Sequence, residues 1–183
     1  MARGSIREAL VLHSAMTLTQ INVFNLLYAI LYVAVAVLTR ATPRRIAGSI
    51  VGGIAMAIAG IGIVAYCQAA GWWRFVFPSD PYFQALLFLD FALSGFTFLL
   101  TWRLARRYGA RGLAILTVIA AVLGPVRDSS FVAFFPEWGS YAPGPMPMIA
   151  ISAAYVILGV IGHGVMRLVA GPASADPLAR RLW

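Results

Sequence analysis

Five stretches of this chain, at about 17–39, 46–70, 81–103, 112–135 and 147–170, are long, apolar and almost free of charge. A helix crossing a hydrocarbon layer ~30 Å thick needs about 20 such residues. Backbone amides find no partner in lipid, so each crossing stretch must close its own hydrogen bonds as a helix. The expected fold is all-α: a polytopic membrane protein, one bundle of five transmembrane helices forming a single domain over residues 1–183. Composition agrees, with 61% hydrophobic and only 11% charged residues, against about 25% charged in soluble domains.

Local signals mark the helix ends. Thr42-Pro43 and Asp80-Pro81 each put a capping side chain before a proline at the first helical position. Pro147 can open the last span, and Gly171-Pro172 closes it. No internal repeat is visible. An odd number of spans argues against two equal inverted halves. The N-terminal stretch does not read as a signal peptide, because the apolar run behind it is too long and carries Asn22 and Asn25. Residues 5–16 have the pattern of an interfacial amphipathic helix.

The net charge of +8 comes from 14 arginines and no lysine. Arg40, Arg44, Arg45, Arg103, Arg106, Arg107, Arg111, Arg167, Arg180 and Arg181 all fall on one side of a five-span topology. Arg3, Arg7, Arg74 and Arg127 fall on the other, offset by Glu8, Asp80, Asp128 and Glu137. The positive-inside rule then puts the N-terminus outside and the C-terminus in the cytoplasm. The expected location is the cytoplasmic (inner) membrane of a bacterium. Arginines spread along helix ends do not form a nucleic-acid surface, so no nucleic-acid partner is expected. The outer links "GWWRFVFPSDPYF" and "FFPEWGSYAPGPMP" are aromatic. They suit an interfacial belt, and the proline-rich second link can fold back over the bundle.

Polar residues inside the spans recur at helical spacing. Asp90, Ser94, Thr97 and Thr101 form one stripe, Ser152, Tyr155, Gly159 and His163 a second, and Asn22, Asn25, Tyr28 and Tyr32 a third. Such faces turn inward, where they serve either as interhelical hydrogen bonds or as a binding site. The second span instead carries Gly48, Gly52 and Gly60, a GxxxG-type ridge for close packing within the chain or against a second copy.

Depth brings several of these residues to one layer. At 1.5 Å per residue, Asp90 lies roughly 13 Å below the start of its helix, and Arg127 roughly 8 Å short of the outer boundary. Asn22, Asn25, Asp128, Ser152 and Tyr155 fall nearby, with Glu137 in the outer loop. Pro125 has no N–H, so it leaves a carbonyl free one turn back. A kink, an unsatisfied carbonyl and an arginine together suit a cavity wall. An Arg127–Asp90 ion pair is expected, with Asp128 turned to outer solvent or the 136–145 loop. His163 sits deeper, near Arg167, and is a proton-transfer candidate.

No cofactor is implied. His13 and His163 lie toward opposite faces and cannot share a haem, no Cys/His cluster has metal-ligand spacing, and a retinal Schiff base needs a lysine. Cys67 reads as a small buried hydrophobe. No catalytic residue is assigned, because no known catalytic motif occurs. The leading expectation is a structural subunit or assembly factor of a larger membrane complex. The partners would then be membrane lipids, that complex, or a second copy through the Gly48/Gly52 face. The alternatives are a transporter or binder of a small anionic or lipid-like molecule at the Arg127 layer, and a membrane enzyme acting on a lipid or isoprenoid.

Overall fold

The computed structural model describes residues 16–172. Residues 5–15 of the expected interfacial helix lie outside the described residues, as do His13 and the terminal arginines. Four helices among the described residues are long and apolar enough to cross a membrane: Leu18–Leu38, Pro43–Ala69, Pro81–Phe134 and Met146–Ala170.

The caps form as the sequence suggests. Helix α1 (Leu18–Leu38) opens on a capping box between Thr17 and Gln20. In α2 (Pro43–Ala69) the Thr42 side chain accepts from the Arg45 amide, so the helix starts three residues earlier than the apolar run alone implies. Asp80 accepts from the Phe83 amide at 2.9 Å to open α3 (Pro81–Leu93). Helix α5 (Met146–Ala170) ends at Gly171.

The third of the four long segments runs 54 residues, roughly 81 Å if straight. It is broken twice. The first break, at Ser94-Gly95, separates α3 from α4 (Phe96–Phe134), where a continuous span over 81–103 is expected. Helix backbones come into close contact at this point. A side chain at Gly95 would meet the Ser49 carbonyl of α2 at 2.5 Å, and one at Gly53 would run into the Ala92 carbonyl. The second break is Gly109, with φ 60° and ψ −147° inside α4.

The chain doubles back at Gly109. A Cβ on Gly112 would stand 3.0 Å from the Leu104 carbonyl oxygen, eight residues away, a separation of roughly 12 Å in a straight helix. The contacts with α5 show the same reversal. Before the break Phe91 lies near Leu158, Phe98 against Gly162 and Thr101 against His163. After it Ala121 meets Ser152 and Ser129 meets Met148. Position along α5 rises with chain number before the break, and after it the contacts return to the 148–155 stretch.

The two aromatic links pair with each other. β1 (Trp73–Phe75) and β2 (Gly139–Tyr141) run antiparallel in the register Trp73↔Tyr141, Arg74↔Ser140, Phe75↔Gly139. Beside them Phe135 stacks on Trp138 at 4.1 Å, over a cluster of Met16, Ile21 and Phe83. Cys67 is buried in a cluster with Trp73, Ile151 and Ala154.

The opposite end carries arginines that hold helix carbonyls. Arg103 donates to the Leu38 carbonyl and Arg44 to the Val169 carbonyl, each at 2.9 Å. Both carbonyls belong to last turns with no intrahelical donor, and a cation there also meets the negative end of the helix dipole.

The Gly48/Gly52 ridge is used within the chain. A Cβ on Gly48 would meet Met166 and Ala170, and one on Gly52 would stand 2.5 Å from the Gly162 carbonyl. This face, expected to pack within the chain or against a second copy, lies under α5. Gly60 lies further along α2, against Phe91 and Leu158.

Candidate functional site

The second part of α4 carries Gly124-Pro125, and both residues are answered by α5. Pro125 has no N–H, so the Ala121 carbonyl lacks its usual intrahelical donor. The Ser152 hydroxyl donates to that carbonyl at 2.8 Å. The carbonyl expected to stay open is therefore closed by α5, and backbone angles remain helical through Pro125. Gly124 makes room for a ring, since any Cβ there would run into the Tyr155 side chain. The ring lies flat on the α4 backbone, which delivers its hydroxyl to the next turn.

That hydroxyl organises the charges. Arg127 Nη1 donates to Tyr155 Oη at 2.8 Å, and Tyr155 Oη donates to Asp128 Oδ1 at 2.9 Å. Arg127 Nη2 donates to Tyr28 Oη of α1 at 3.2 Å. Arg127 Nε stands 3.8 Å from Asp128 Oδ1, and the guanidinium carbon lies 5.3 Å from the centre of the Phe131 ring. The expected Arg127–Asp90 ion pair is not formed. Two tyrosine hydroxyls, from α1 and α5, take the guanidinium, and Tyr155 also turns Asp128 inward rather than toward outer solvent.

Asp90 takes no part in this hydrogen-bond network. Its Oδ1 is buried with no hydrogen-bond partner. Asp90, Arg127 and Asp128 all line one cavity of about 730 Å³. Its walls are largely apolar and come from α2 (Met56, Ile63, Val64), α3 (Phe91), α4 (Leu113, Leu116) and α5 (Leu158). The aromatic strand pair closes one end with Trp73, Phe75 and Tyr141. Burial pushes the Tyr141 phenol above its usual range and the Asp128 carboxylate adds to this, so Tyr141 meets the cavity as a neutral hydroxyl. At the other end Thr101 Oγ1 and His163 Nδ1 are hydrogen-bonded at 2.7 Å, beside Arg167.

The remaining candidates divide by face. Tyr155, Gly159 and His163 line the cavity, as do Asp90, Ser94, Thr97 and Thr101. Asn25 is buried and ties α1 to α3 through the Leu86 carbonyl at 3.0 Å. Asn22 is exposed and does not line the cavity. Two steps of three residues carry it roughly 120° around the helix from Tyr28, so it leaves the face that Asn25, Tyr28 and Tyr32 share. Glu137 sits half-buried in the 3-10 turn Pro136–Trp138, away from the cavity lining. Among the described residues no three His, Cys, Asp or Glu side chains converge as metal ligands do.

No family model, curated protein or solved structure matches this chain.

The Pro125–Ser152 relation gives a sharp expectation. Ser152→Ala should cost about 1 kcal/mol, the net worth of one hydrogen bond. In a Pro125→Ala background the restored N–H at position 125 can reach the Ala121 carbonyl, and the same change should cost almost nothing. Thermal unfolding of the four proteins in detergent measures this coupling. Equal losses in both backgrounds would break the link between proline and serine.

Proposed function

We propose that this protein is a multi-pass membrane protein that binds one amphipathic molecule inside its bundle. The apolar body would lie along the walls and the head group at the Arg127 end. The cavity supports this reading: its volume of about 730 Å³ falls in the ordinary range for ligand sites, ~300–1,000 Å³, with apolar walls and a few convergent polar groups. Intramembrane ionisable groups facing such a space are a usual mark of a ligand path. Arg127 is well placed to anchor a head group, because two tyrosines and Asp128 hold its guanidinium.

The reading includes five membrane passes, with the reversal at Gly109 splitting the 54-residue segment in two. It places the β1–β2 pair and the N-terminus outside and the arginine-rich end in the cytoplasm, by the positive-inside rule. A bacterial inner membrane suits that orientation.

Gly159 provides the test. It lines the cavity, and a Cβ there meets nothing within 4 Å. Gly159→Phe should fill the space while leaving the melting temperature close to wild type. Native mass spectrometry of wild-type protein released from mild detergent should then show a bound amphiphile, and the variant should show none. Equal retention by both would refute an intrabundle site. Wild-type protein that carries no amphiphile but co-purifies stoichiometrically with a larger complex would return the chain to the subunit reading.

A further inference from the structure

We infer that the bound molecule has a zwitterionic head group, with its anionic part on Arg127 and its cationic, hydrogen-bond-donating part on Asp90. This rests on the amphiphile-binding reading above and adds the chemistry of the head.

The charges lining this end of the cavity do not balance. Arg127 contributes one positive charge, and Asp90 and Asp128 contribute two carboxylates. Asp128 is served by the Tyr155 hydroxyl and lies beside Arg127. Asp90 is left over, with Oδ1 buried and unpartnered. A carboxylate with no donor on either oxygen is costly, so a cation brought up from the cavity to the unsealed oxygen is favoured. A purely anionic head would add a further negative charge beside two carboxylates. A zwitterionic head adds no net charge and sets its ammonium against the surplus carboxylate.

The other half of the match is donor capacity. A guanidinium has five N–H groups, and the two tyrosine hydroxyls account for only two hydrogen bonds. The site therefore offers unused donors from Arg127 and, in Asp90, a carboxylate that no hydrogen bond engages and whose second oxygen is not sealed off. A phosphoethanolamine-type head carries the complementary set: phosphate oxygens that accept and an ammonium that donates.

The test uses two lysophospholipids with the same acyl chain, lysophosphatidylethanolamine and lysophosphatidylglycerol. Each is titrated into purified protein in detergent, and binding is read from the change in intrinsic tryptophan fluorescence. Wild type should prefer the ethanolamine lipid by roughly tenfold, the scale of one charge-assisted hydrogen bond. Asp90→Asn should erase that preference by weakening the ethanolamine lipid alone, whereas Arg127→Gln should weaken both. N-acetylated lysophosphatidylethanolamine loses its cation and should bind wild type like the glycerol lipid, a comparison that requires no protein variant. Equal or better binding of the glycerol lipid by wild type overturns the proposal, as does a preference that survives Asp90→Asn. Binding of neither lipid overturns the amphiphile reading itself.

Discussion

Gly53→Val should destabilise the protein by about 3 kcal/mol or more, at the upper end of what overpacking costs. Gly53 and Gly95 face each other where α2 crosses the junction of α3 and α4. A Cβ at Gly53 runs into the Ala92 carbonyl oxygen and comes within 3.2 Å of the Gly95 Cα. A Cβ at Gly95 would lie 2.5 Å from the Ser49 carbonyl and 3.0 Å from the Gly53 Cα. All of these are backbone atoms, so no side chain can rotate away, and the helices must separate. Separation would disturb the cavity wall formed by Met56, Ile63 and Val64 of α2 and Phe91 of α3. The control is Gly62→Ala on the same helix, where a Cβ meets nothing within 4 Å. That change should leave stability unchanged or raise it slightly, because alanine is the better helix former. Thermal melts in detergent compare the two, and a Gly53→Val melt matching wild type would show that the crossing is looser than the contacts indicate.

The same crossing shows what can be read from the chain and what cannot. Helix starts are legible because they rest on short-range chemistry: Thr42 and Asp80 cap amides three residues ahead, whatever the rest of the chain does. Stripes are legible for the same reason, since helical spacing alone puts Asp90, Ser94, Thr97 and Thr101 on one face, and all four line the cavity. The Gly48–Gly52–Gly60 ridge is visible in the sequence, but Gly53 and Gly95, which make the closer backbone contact, match no spacing rule because they lie on different helices. Depth also has a limit. It brings Asp90 and Arg127 to one layer, and they do line one cavity, yet the partner each takes depends on azimuth. Tyr155 reaches Arg127 first because Gly124 lets its ring lie against α4. Asn22 shares the layer in depth but not in direction. The β1–β2 pairing joins links more than sixty residues apart in sequence, and their aromatic content suits an interfacial belt as well as a strand pair.

Replacing Gly109 should produce the second large loss, because one residue sets the direction of everything after it. Its φ of 60° with ψ of −147° borders a region that is essentially glycine-only, where another residue costs ~1–3 kcal/mol. The steric cost is only part of the effect. If position 109 became helical, Phe96–Phe134 would run straight for its 39 residues, roughly 58 Å, about twice the hydrocarbon thickness. Ala121 could no longer meet Ser152, nor Arg127 meet Tyr28 and Tyr155. Gly109→Val should therefore lower the melting temperature and, by dismantling the charged end of the cavity, abolish amphiphile retention. Asparagine should not rescue the position: it tolerates the left-handed helical region near ψ +45°, far from the ψ found here. A membrane-impermeant thiol reagent reads the topology directly. In a Cys67→Ser background, Gly144→Cys should label from outside. Adding Gly109→Val should reduce that labelling, because residues beyond 109 would no longer return to the outer face. Full labelling and normal stability in the valine variant would show that the reversal does not depend on glycine, and would leave the tight Leu104–Gly112 approach as its cause.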